Sequence, residues 1–311
     1  MSAEVPAGPP RVQIQTQSGC NGRCVFCPNA AVLASGLEQG RMSPGLFHKI
    51  IDELAELTPQ RISLYLMNEP LLDPRLPEFT RYAAEKVPGA TTLVTTNGLN
   101  LDEALGLDLI AAGLKRLKVS LQSLDPETNR KLMGSHMDPA RVVDNVLTMK
   151  RLIEQHRAEL DLRVSMITTA LNAYQTRRTR RFWRKHGIRL VTSSVENRGG
   201  NIDEASSLSK GAMQDRSRHC IRPYREMCIL FNGDVVLCCV DWWRTAVLGN
   251  VREQSIREVW NGPRFRAVRA ALKAGDRDSQ PKICLNCAES SGAKKRGWGI
   301  KRLLGRGIGK T

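Results

Sequence analysis

The sequence lacks any apolar run long enough to cross a bilayer, which argues against a helical transmembrane protein. The eleven residues before the first predicted strand, MSAEVPAGPPR, contain no apolar core of a secretory signal. We therefore expect a cytoplasmic protein, and the nine cysteines then argue against a disulfide scaffold. In the reducing cytosol, clustered cysteines more often bind metal or take part in chemistry.

Acidic residues are also scarce, and the formal net charge is +16. Two short segments supply 14 of these 16 excess charges, because residues 177–189 and 290–311 each carry seven basic residues. The rest of the chain is close to neutral, so the charge is not spread along a nucleic-acid-binding surface. We interpret the first segment as a solvated helix face and the second as a basic tail that we expect to be disordered. A nucleic-acid partner is not favoured.

Strand-like and helix-like patterns alternate six times over residues 1–195. Such alternation predicts βα units, and right-handed crossovers between them give parallel strands. A full eight-unit barrel typically needs about 250 residues, so we predict an α/β fold with a partial (β/α)6 TIM-like barrel. The predicted strands are Val12–Gln17, Arg61–Leu66, Thr91–Thr96, Arg116–Leu121, Asp161–Ile167 and Ile188–Ser194. The clearest predicted helices are Pro44–Leu57, Leu101–Ala112, Pro139–Ile153 and Tyr174–His186.

The alternation ends after Ser194, and the pattern changes in the remainder of the chain. Residues 196–219 are polar and are predicted to form a linker. Residues 220–289 are predicted to form a small α+β domain that contains a hairpin and two short helices. The hairpin strands are predicted at Cys228–Phe231 and Val235–Val240, and the helices near Ser255–Trp260 and Arg264–Ala274.

Three cysteines follow the first predicted strand at the spacing C-x3-C-x2-C, namely Cys20, Cys24 and Cys27. Three thiolates hold three corners of a four-iron cluster and leave the fourth iron open to a ligand that is not protein. An open iron turns an electron carrier into a reactive site. A structural zinc site is the alternative, but zinc normally takes four ligands, commonly as two C-x2-C pairs.

Polar residues follow the other predicted strands at the points where those strands end. Catalytic groups of parallel βα barrels lie on the loops that leave the carboxyl ends of the strands, so we expect these residues to meet at one rim. They are Asn68, Glu69 and Pro70, then Thr96, Asn97 and Gly98, then Ser120 and Gln122, and finally Asn197, Arg198, Gly199 and Gly200.

The cysteine loop resembles that of the radical S-adenosylmethionine (SAM) enzymes, including an aromatic residue, Phe26, before the last cysteine. The resemblance implies that Cys20, Cys24 and Cys27 bind a [4Fe–4S] cluster and that SAM fills its open iron. It also implies an external one-electron reductant such as flavodoxin or ferredoxin. The reduced cluster then cleaves SAM to a 5′-deoxyadenosyl radical, which takes a hydrogen atom from the substrate.

The same resemblance implies cofactor contacts at the strand exits. Residues 67–70, Met-Asn-Glu-Pro, are similar to the family's Gly-Gly-Glu-Pro segment, which holds the SAM amino group. Both glycines are replaced here, so the implied contact rests on Glu69. Asn97 and Ser120 match positions that contact the SAM ribose and carboxylate, and Phe26 belongs to the cofactor-binding loop.

Six further cysteines lie between residues 220 and 287, and Cys284 and Cys287 form a C-x2-C pair. This region resembles the SPASM/twitch module in its shorter, twitch form, which implies one auxiliary [4Fe–4S] cluster with four protein ligands. The choice between Cys238 and Cys239 stays open, because neighbours in a strand point to opposite faces. A zinc ribbon is the alternative. The implied ligands are Cys220, Cys238, Cys284 and Cys287.

The auxiliary cysteine spacing is similar to that of small radical SAM enzymes of aminoglycoside biosynthesis, which include dehydrogenases and epimerases. The resemblance implies oxidation of a carbinol carbon of a sugar or aminocyclitol to a ketone, with the auxiliary cluster as electron acceptor. Arg198 is the candidate substrate-orienting residue, because it lies at the exit of the sixth predicted strand and faces the expected cavity. An epimerase is the first competing function, in which a spare thiol, Cys228 or Cys239, returns a hydrogen atom to the opposite face. Modification of a ribosomally made peptide is the second, and a zinc-stabilised nucleic-acid-binding protein is the third.

Overall fold

The computed structural model describes residues 5–215 and 220–290. From residue 291 onward, the predicted basic tail lies outside the described residues. Within the described ranges, none of the helices has the length and apolar character that a bilayer crossing requires.

Twelve α-helices and two 3₁₀ turns, Pro70–Leu72 and Ala173–Gln175, occur in the described part of the chain. Helix α2 has the predicted bounds at both ends. Ser43 caps its N-terminus by accepting a hydrogen bond from the Leu46 amide at 3.3 Å. Helix α4 is capped by Asp102 and starts at Glu103, two residues after the predicted start at Leu101. The helices are α1 (Asn29–Ala34), α2 (Pro44–Leu57), α3 (Leu76–Lys86), α4 (Glu103–Ala111), α5 (Pro126–Met133), α6 (Pro139–Gln155), α7 (Thr176–Lys185), α8 (Ala205–Leu208), α9 (Arg222–Arg225), α10 (Ile256–Trp260), α11 (Pro263–Ala274) and α12 (Lys282–Leu285).

Six parallel strands form the body of the fold, and each pairs with the next along the chain. The described sheet is open rather than closed on itself. The predicted partial barrel is therefore confirmed. These strands are β1 (Arg11–Ile14), β2 (Arg61–Ser63), β3 (Thr91–Thr96), β4 (Arg116–Ser120), β5 (Asp161–Thr168) and β6 (Arg189–Ser194).

Three of the five later strands, Glu226–Ile229, Asp234–Val236 and Val247–Asn250, extend the same sheet from its β1 edge. The sequence did not predict this extension. The predicted hairpin forms, but its first strand also pairs in parallel with β1. Residues predicted to be loop-like contain helix α8 and a short strand that pairs with the last described strand. The five strands described after β6 are β7 (Met213–Asp215), β8 (Glu226–Ile229), β9 (Asp234–Val236), β10 (Val247–Asn250) and β11 (Ala288–Ser290).

The main core lies between the sheet and the outer helices, and the two faces of the strands differ in character. In β4, Leu117 and Val119 are fully buried in this core, whereas Arg116, Lys118 and Ser120 are only half-buried. Successive side chains of a strand point to opposite faces, so the inner face of the barrel is polar along β4.

The basic helix α7 is a solvated face, as expected from its sequence. Its arginines and its lysine are all exposed, whereas Trp183 is fully buried in the main core. The charge of this helix therefore lies in solvent and does not enter the barrel.

Candidate functional site

The loop after β1 presents the thiols of Cys20, Cys24 and Cys27 at the carboxyl end of the barrel. The amides of Arg23 and Val25 donate to carbonyl oxygens in the last turn of α5, each at 3.1 Å. These two hydrogen bonds fix the backbone between the first and last cysteines. The loop geometry therefore depends on a helix that is distant in sequence.

The three thiols lie close enough to influence one another electrostatically. Burial, together with the nearby Glu69 carboxylate and Cys27 thiol, raises the pKa of Cys20 to about 12. Burial also raises the pKa of Cys24 and Cys27, and the nearby Arg198 guanidinium opposes this rise at both. Buried thiolates are costly unless a cation binds them, so this donor set suits a metal cluster.

The three cysteines suit an iron–sulfur cluster because thiols are the ligands that such a cluster takes. Their positions in the structure do not by themselves define a coordination site. In the described ranges, no three cysteine, histidine, aspartate or glutamate side chains surround one point as a single bound ion would require.

Glu69 is 3% exposed and connects the exits of β2 and β3. Its Oε1 accepts from the Leu71 amide at 3.0 Å and from the Thr96 hydroxyl at 2.6 Å, and its Oε2 accepts from the Asn97 amide at 2.7 Å. Burial raises the pKa of Glu69, and the three hydrogen bonds oppose that rise. A carboxylate accepts about four hydrogen bonds, so one position stays open for the SAM amino group, which remains a prediction.

The turn before Glu69 contains a strained residue. Met67 has φ +55° in the left-handed region, where glycine is favoured. Asn68 supports the turn, because its Oδ1 accepts from the Leu66 amide at 2.8 Å. Replacement of the expected glycines is therefore accommodated by backbone strain and by an asparagine hydrogen bond.

Asn97 links the exit of β3 to the cysteine loop. Its Nδ2 donates to Asn21 Oδ1 at 2.6 Å, and its own Oδ1 accepts from the Leu99 amide at 3.0 Å. Ser120 lies across from Ser165, with 3.3 Å between the hydroxyl oxygens. The contacts of Asn97 and Ser120 with SAM stay predictions. Asn21 was not singled out in the sequence, although its position inside the cysteine loop was a usable signal.

The side chains of Gln122 and Phe26 are buried and support the structure around the site. Gln122 is 2% exposed, and its Oε1 accepts from the Ile167 amide at 2.7 Å. Phe26 is 6% exposed and belongs to an apolar cluster with Leu132 and Val195. Both side chains are therefore committed to packing or backbone support, and a cofactor contact of Phe26 remains a prediction.

Replacing Gly98 by alanine is expected to destabilise the fold by about 1–3 kcal/mol. Gly98 has φ +78°, and an added Cβ would lie 2.5 Å from Val119 Cγ1. Chemical denaturation measures the effect. Gly45→Ala is the matched control, because nothing lies within 4 Å of its added Cβ. Equal stability of the Gly98 variant and the wild type would show that the turn relaxes freely.

The segment of residues 196–201, here called the bridging segment, joins the barrel to the second cysteine region. Asn197 Nδ2 donates to the Asn286 carbonyl at 2.7 Å, and Asn197 Oδ1 accepts from the Ala288 amide at 2.8 Å. Asn201 Nδ2 donates to the Val240 carbonyl at 2.9 Å. This segment was predicted to begin a linker, but it is hydrogen-bonded to the residue after Cys239 and to both neighbours of Cys287.

The four cysteines predicted to bind an auxiliary cluster influence one another electrostatically in pairs. Burial, together with the nearby Cys220 and Cys287 thiols, raises the pKa of Cys284 to about 12. Burial also raises the pKa of Cys238, and Cys220 contributes to that rise. Their assignment as ligands remains a prediction, and a set of four cysteine thiols suits either an iron–sulfur cluster or zinc by donor chemistry alone.

The two spare cysteines differ in accessibility. Cys228 is fully buried and lies in a small cluster with Leu66, whereas Cys239 is half-buried at its border. Cys239 is within electrostatic range of Cys228. Of the two predicted hydrogen-atom donors, Cys239 is the more accessible.

Arg198 lies in the bridging segment with φ +53°. Its Nη1 is 3.6 Å from Glu196 Oε2. Glu196 in turn pairs with Arg222, and neither was singled out in the sequence. No local pattern marks such a pair, because its members lie on different elements.

Models of two known sequence families match this chain. The radical SAM superfamily model matches residues 14–171, and the SPASM model, an iron–sulfur cluster-binding domain, matches residues 220–288. Among curated relatives, S-adenosyl-L-methionine-dependent 2-deoxy-scyllo-inosamine dehydrogenase of Niallia circulans is 26% identical over 277 residues. That alignment covers 89% of this chain and 91% of the relative.

Solved structures share the fold. The crystal structure of BtrN in complex with AdoMet and 2-DOIA superposes with a TM-score of 0.59 at 22% identity, covering 89% of this chain and 92% of that one. Streptococcus suis SuiB bound to precursor peptide SuiA gives a TM-score of 0.69 at 17% identity, covering 86% of this chain and 68% of that one. At these identities the likeness concerns the fold alone.

Proposed function

The chain belongs to the radical SAM superfamily, and we propose that it oxidises a carbinol carbon of a sugar or aminocyclitol to a ketone. Its two matched domains imply a SAM-binding [4Fe–4S] cluster and an auxiliary iron–sulfur cluster. The observation that supports the proposal is a chain of ion pairs at the bridging segment, formed by its own Arg198 and Glu196 with the neighbouring Arg222. Arg198 is within electrostatic range of Cys24, and Arg222 is within range of Cys238. A substrate held against this segment would have one cluster on each side. The near full-length similarity to an aminocyclitol dehydrogenase supports the substrate class.

In this proposal the three cysteines of the β1 loop hold the SAM-binding cluster. Glu69 and Asn97 stabilise the loop and the adjoining turn, which keeps the cofactor pocket in one geometry. Four later cysteines hold the auxiliary cluster. These are Cys220, Cys238, Cys284 and Cys287.

With these groups bound, SAM would supply a 5′-deoxyadenosyl radical able to take the carbinol hydrogen atom, and the auxiliary cluster would be available to accept the remaining electron. The hydroxyl proton would pass to a base. Arg198 is the proposed substrate-orienting residue, because its guanidinium lies within electrostatic range of Cys24 and Cys27. A guanidinium donates hydrogen bonds and accepts none, so it would hold an oxygen of the substrate rather than act as the base.

The test uses an aminocyclitol or sugar deuterated at the carbinol carbon, with reconstituted enzyme, SAM and either flavodoxin or dithionite. We expect one deuterium in 5′-deoxyadenosine for each ketone formed. An unoxidised product that carries solvent hydrogen at that carbon would instead identify an epimerase.

Epimerisation is the second candidate, and the position of Cys239 favours it. Cys239 is half-buried beside the small cluster that includes Met67, which neighbours the predicted SAM contact Glu69. A half-buried thiol here is more accessible to a bound substrate than the fully buried Cys228.

Replacing Cys239 by alanine is expected to leave ketone formation within about threefold of the wild type, because oxidation needs no hydrogen-atom donor. Product analysis of the Cys239→Ala variant checks this, with Cys228→Ala as the fully buried comparison. Loss of turnover in the Cys239 variant alone, with both clusters retained, would favour the epimerase.

A further inference from the structure

Two charged side chains of the bridging segment, Glu196 and Arg198, form a chain of ion pairs with Arg222 of α9. Glu196 accepts from Arg222 Nη2 at both carboxylate oxygens, at 3.0 and 3.3 Å. Arg198 Nη1 lies 3.6 Å from the same carboxylate. The three side chains are only 17–28% exposed, so solvent screens them incompletely.

The two arginines face different cysteine sets. Arg198 is within electrostatic range of Cys24 and Cys27 in the β1 loop. Arg222 follows Cys220 by two residues and is within range of Cys238 and Cys239 as well. Glu196 therefore connects a cation beside the first set to a cation beside the second.

The backbone holds these charges in fixed positions. Asn197 is hydrogen-bonded to the Asn286–Ala288 stretch, and Asn201 is hydrogen-bonded to Val240. An added Cβ at Gly199 would lie 2.5 Å from Ile283 Cγ1, so the segment packs closely against α12. A rigid segment keeps the separation between the charges and the cysteines constant.

A buried ion pair of this kind contributes little to stability, because desolvation offsets much of the attraction. Its charge acts strongly on a neighbouring redox centre. Each electron accepted makes a thiolate-bound cluster more negative, and reduction potentials of such clusters depend on nearby charge and hydrogen bonds. A cation beside the cluster therefore favours the reduced state, and an anion disfavours it.

We propose that Arg222 raises the reduction potential of the auxiliary cluster and that Glu196 lowers it, so that this ion pair sets how readily the cluster accepts the substrate electron. The proposal deepens the proposed function and rests on its assignment of the auxiliary cluster to Cys220, Cys238, Cys284 and Cys287. Arg222 and Glu196 are positioning residues here, since they act through the cluster and not on the substrate.

The test compares Arg222→Gln and Glu196→Gln by redox titration monitored by electron paramagnetic resonance. Both are made in a Cys24→Ala background, so that only the auxiliary cluster gives a signal. We expect Arg222→Gln to lower the ratio of reduced to oxidised cluster at a fixed potential by about tenfold, which is about 59 mV for one electron. Glu196→Gln is expected to change the ratio in the opposite direction.

Two further variants separate charge from structure. Arg222→Lys keeps the charge and is expected to give a smaller change than Arg222→Gln. Arg225→Gln, on the same helix α9, is the matched control and is expected to leave the potential unchanged.

The proposal is overturned if the two glutamine variants load the cluster fully and their potentials move in the same direction or not at all. If the Arg222→Gln variant fails to load the cluster, the Glu196→Gln variant alone is the test. A rise in the reduction potential of its auxiliary cluster supports the proposal, and no rise overturns it. Failure of the proposed function is distinguishable, because ketone formation is assayed with Cys24 intact. Opposed potential shifts in the variants, together with no ketone from the wild-type protein, would overturn the dehydrogenase assignment alone.

Discussion

The Cys24→Ala variant is expected to lose reductive SAM cleavage by about a thousandfold or more, because two remaining thiolates do not hold a cluster with one open iron. The iron content of anaerobically reconstituted protein should fall from about eight to about four atoms per chain. Iron and sulfide analysis, together with 5′-deoxyadenosine formation after dithionite reduction, measures both effects.

Val25→Ala is the control for this experiment, because Val25 lies in the same loop with a side chain 38% exposed and supplies no thiol. It should keep both iron content and cleavage. Colourless, zinc-loaded wild-type protein without cleavage would contradict the cluster assignment and restore the structural zinc site.

The Cys238→Ala variant is expected to abolish ketone formation while retaining SAM cleavage at the first cluster. Cys238 is 9% exposed within the main core and lies within electrostatic range of Cys220. Loss of one of four ligands should remove the auxiliary cluster, so about four irons should remain. The measurement is iron content together with separate assays for 5′-deoxyadenosine and ketone.

Cys239→Ala supplies the matched comparison, since it removes the neighbouring thiol and leaves the proposed ligand in place. Full iron loading is expected for this variant. If Cys239→Ala loses about four irons and Cys238→Ala does not, Cys239 is the ligand and the assignment is reversed.

Similarity to known proteins bears on the competing functions. Membership of the radical SAM superfamily supports enzymatic chemistry over a zinc-stabilised nucleic-acid-binding protein. The basic side chains of α7 are exposed to solvent, so their charge does not require a nucleic-acid partner.

The alternation of strands and helices could be predicted from the sequence, because hydrophobic periodicity and helix caps act over a few residues. Strand β3 and helix α2 matched their predicted bounds at both ends. The cysteine spacing likewise identified the superfamily, since metal-binding loops are short and local. The order of polar groups at the strand exits followed from the regular geometry of parallel βα units.

The contacts that these polar and charged side chains make depend on the tertiary structure. Glu69 accepts hydrogen bonds at the exit of a neighbouring strand, β8 pairs with β1, and Glu196 joins Arg198 to Arg222. Most of these contacts connect positions that are brought together by chain folding rather than by a local repeat. Pairings over long separations depend on packing and burial in the completed fold, and no short pattern in the sequence encodes them.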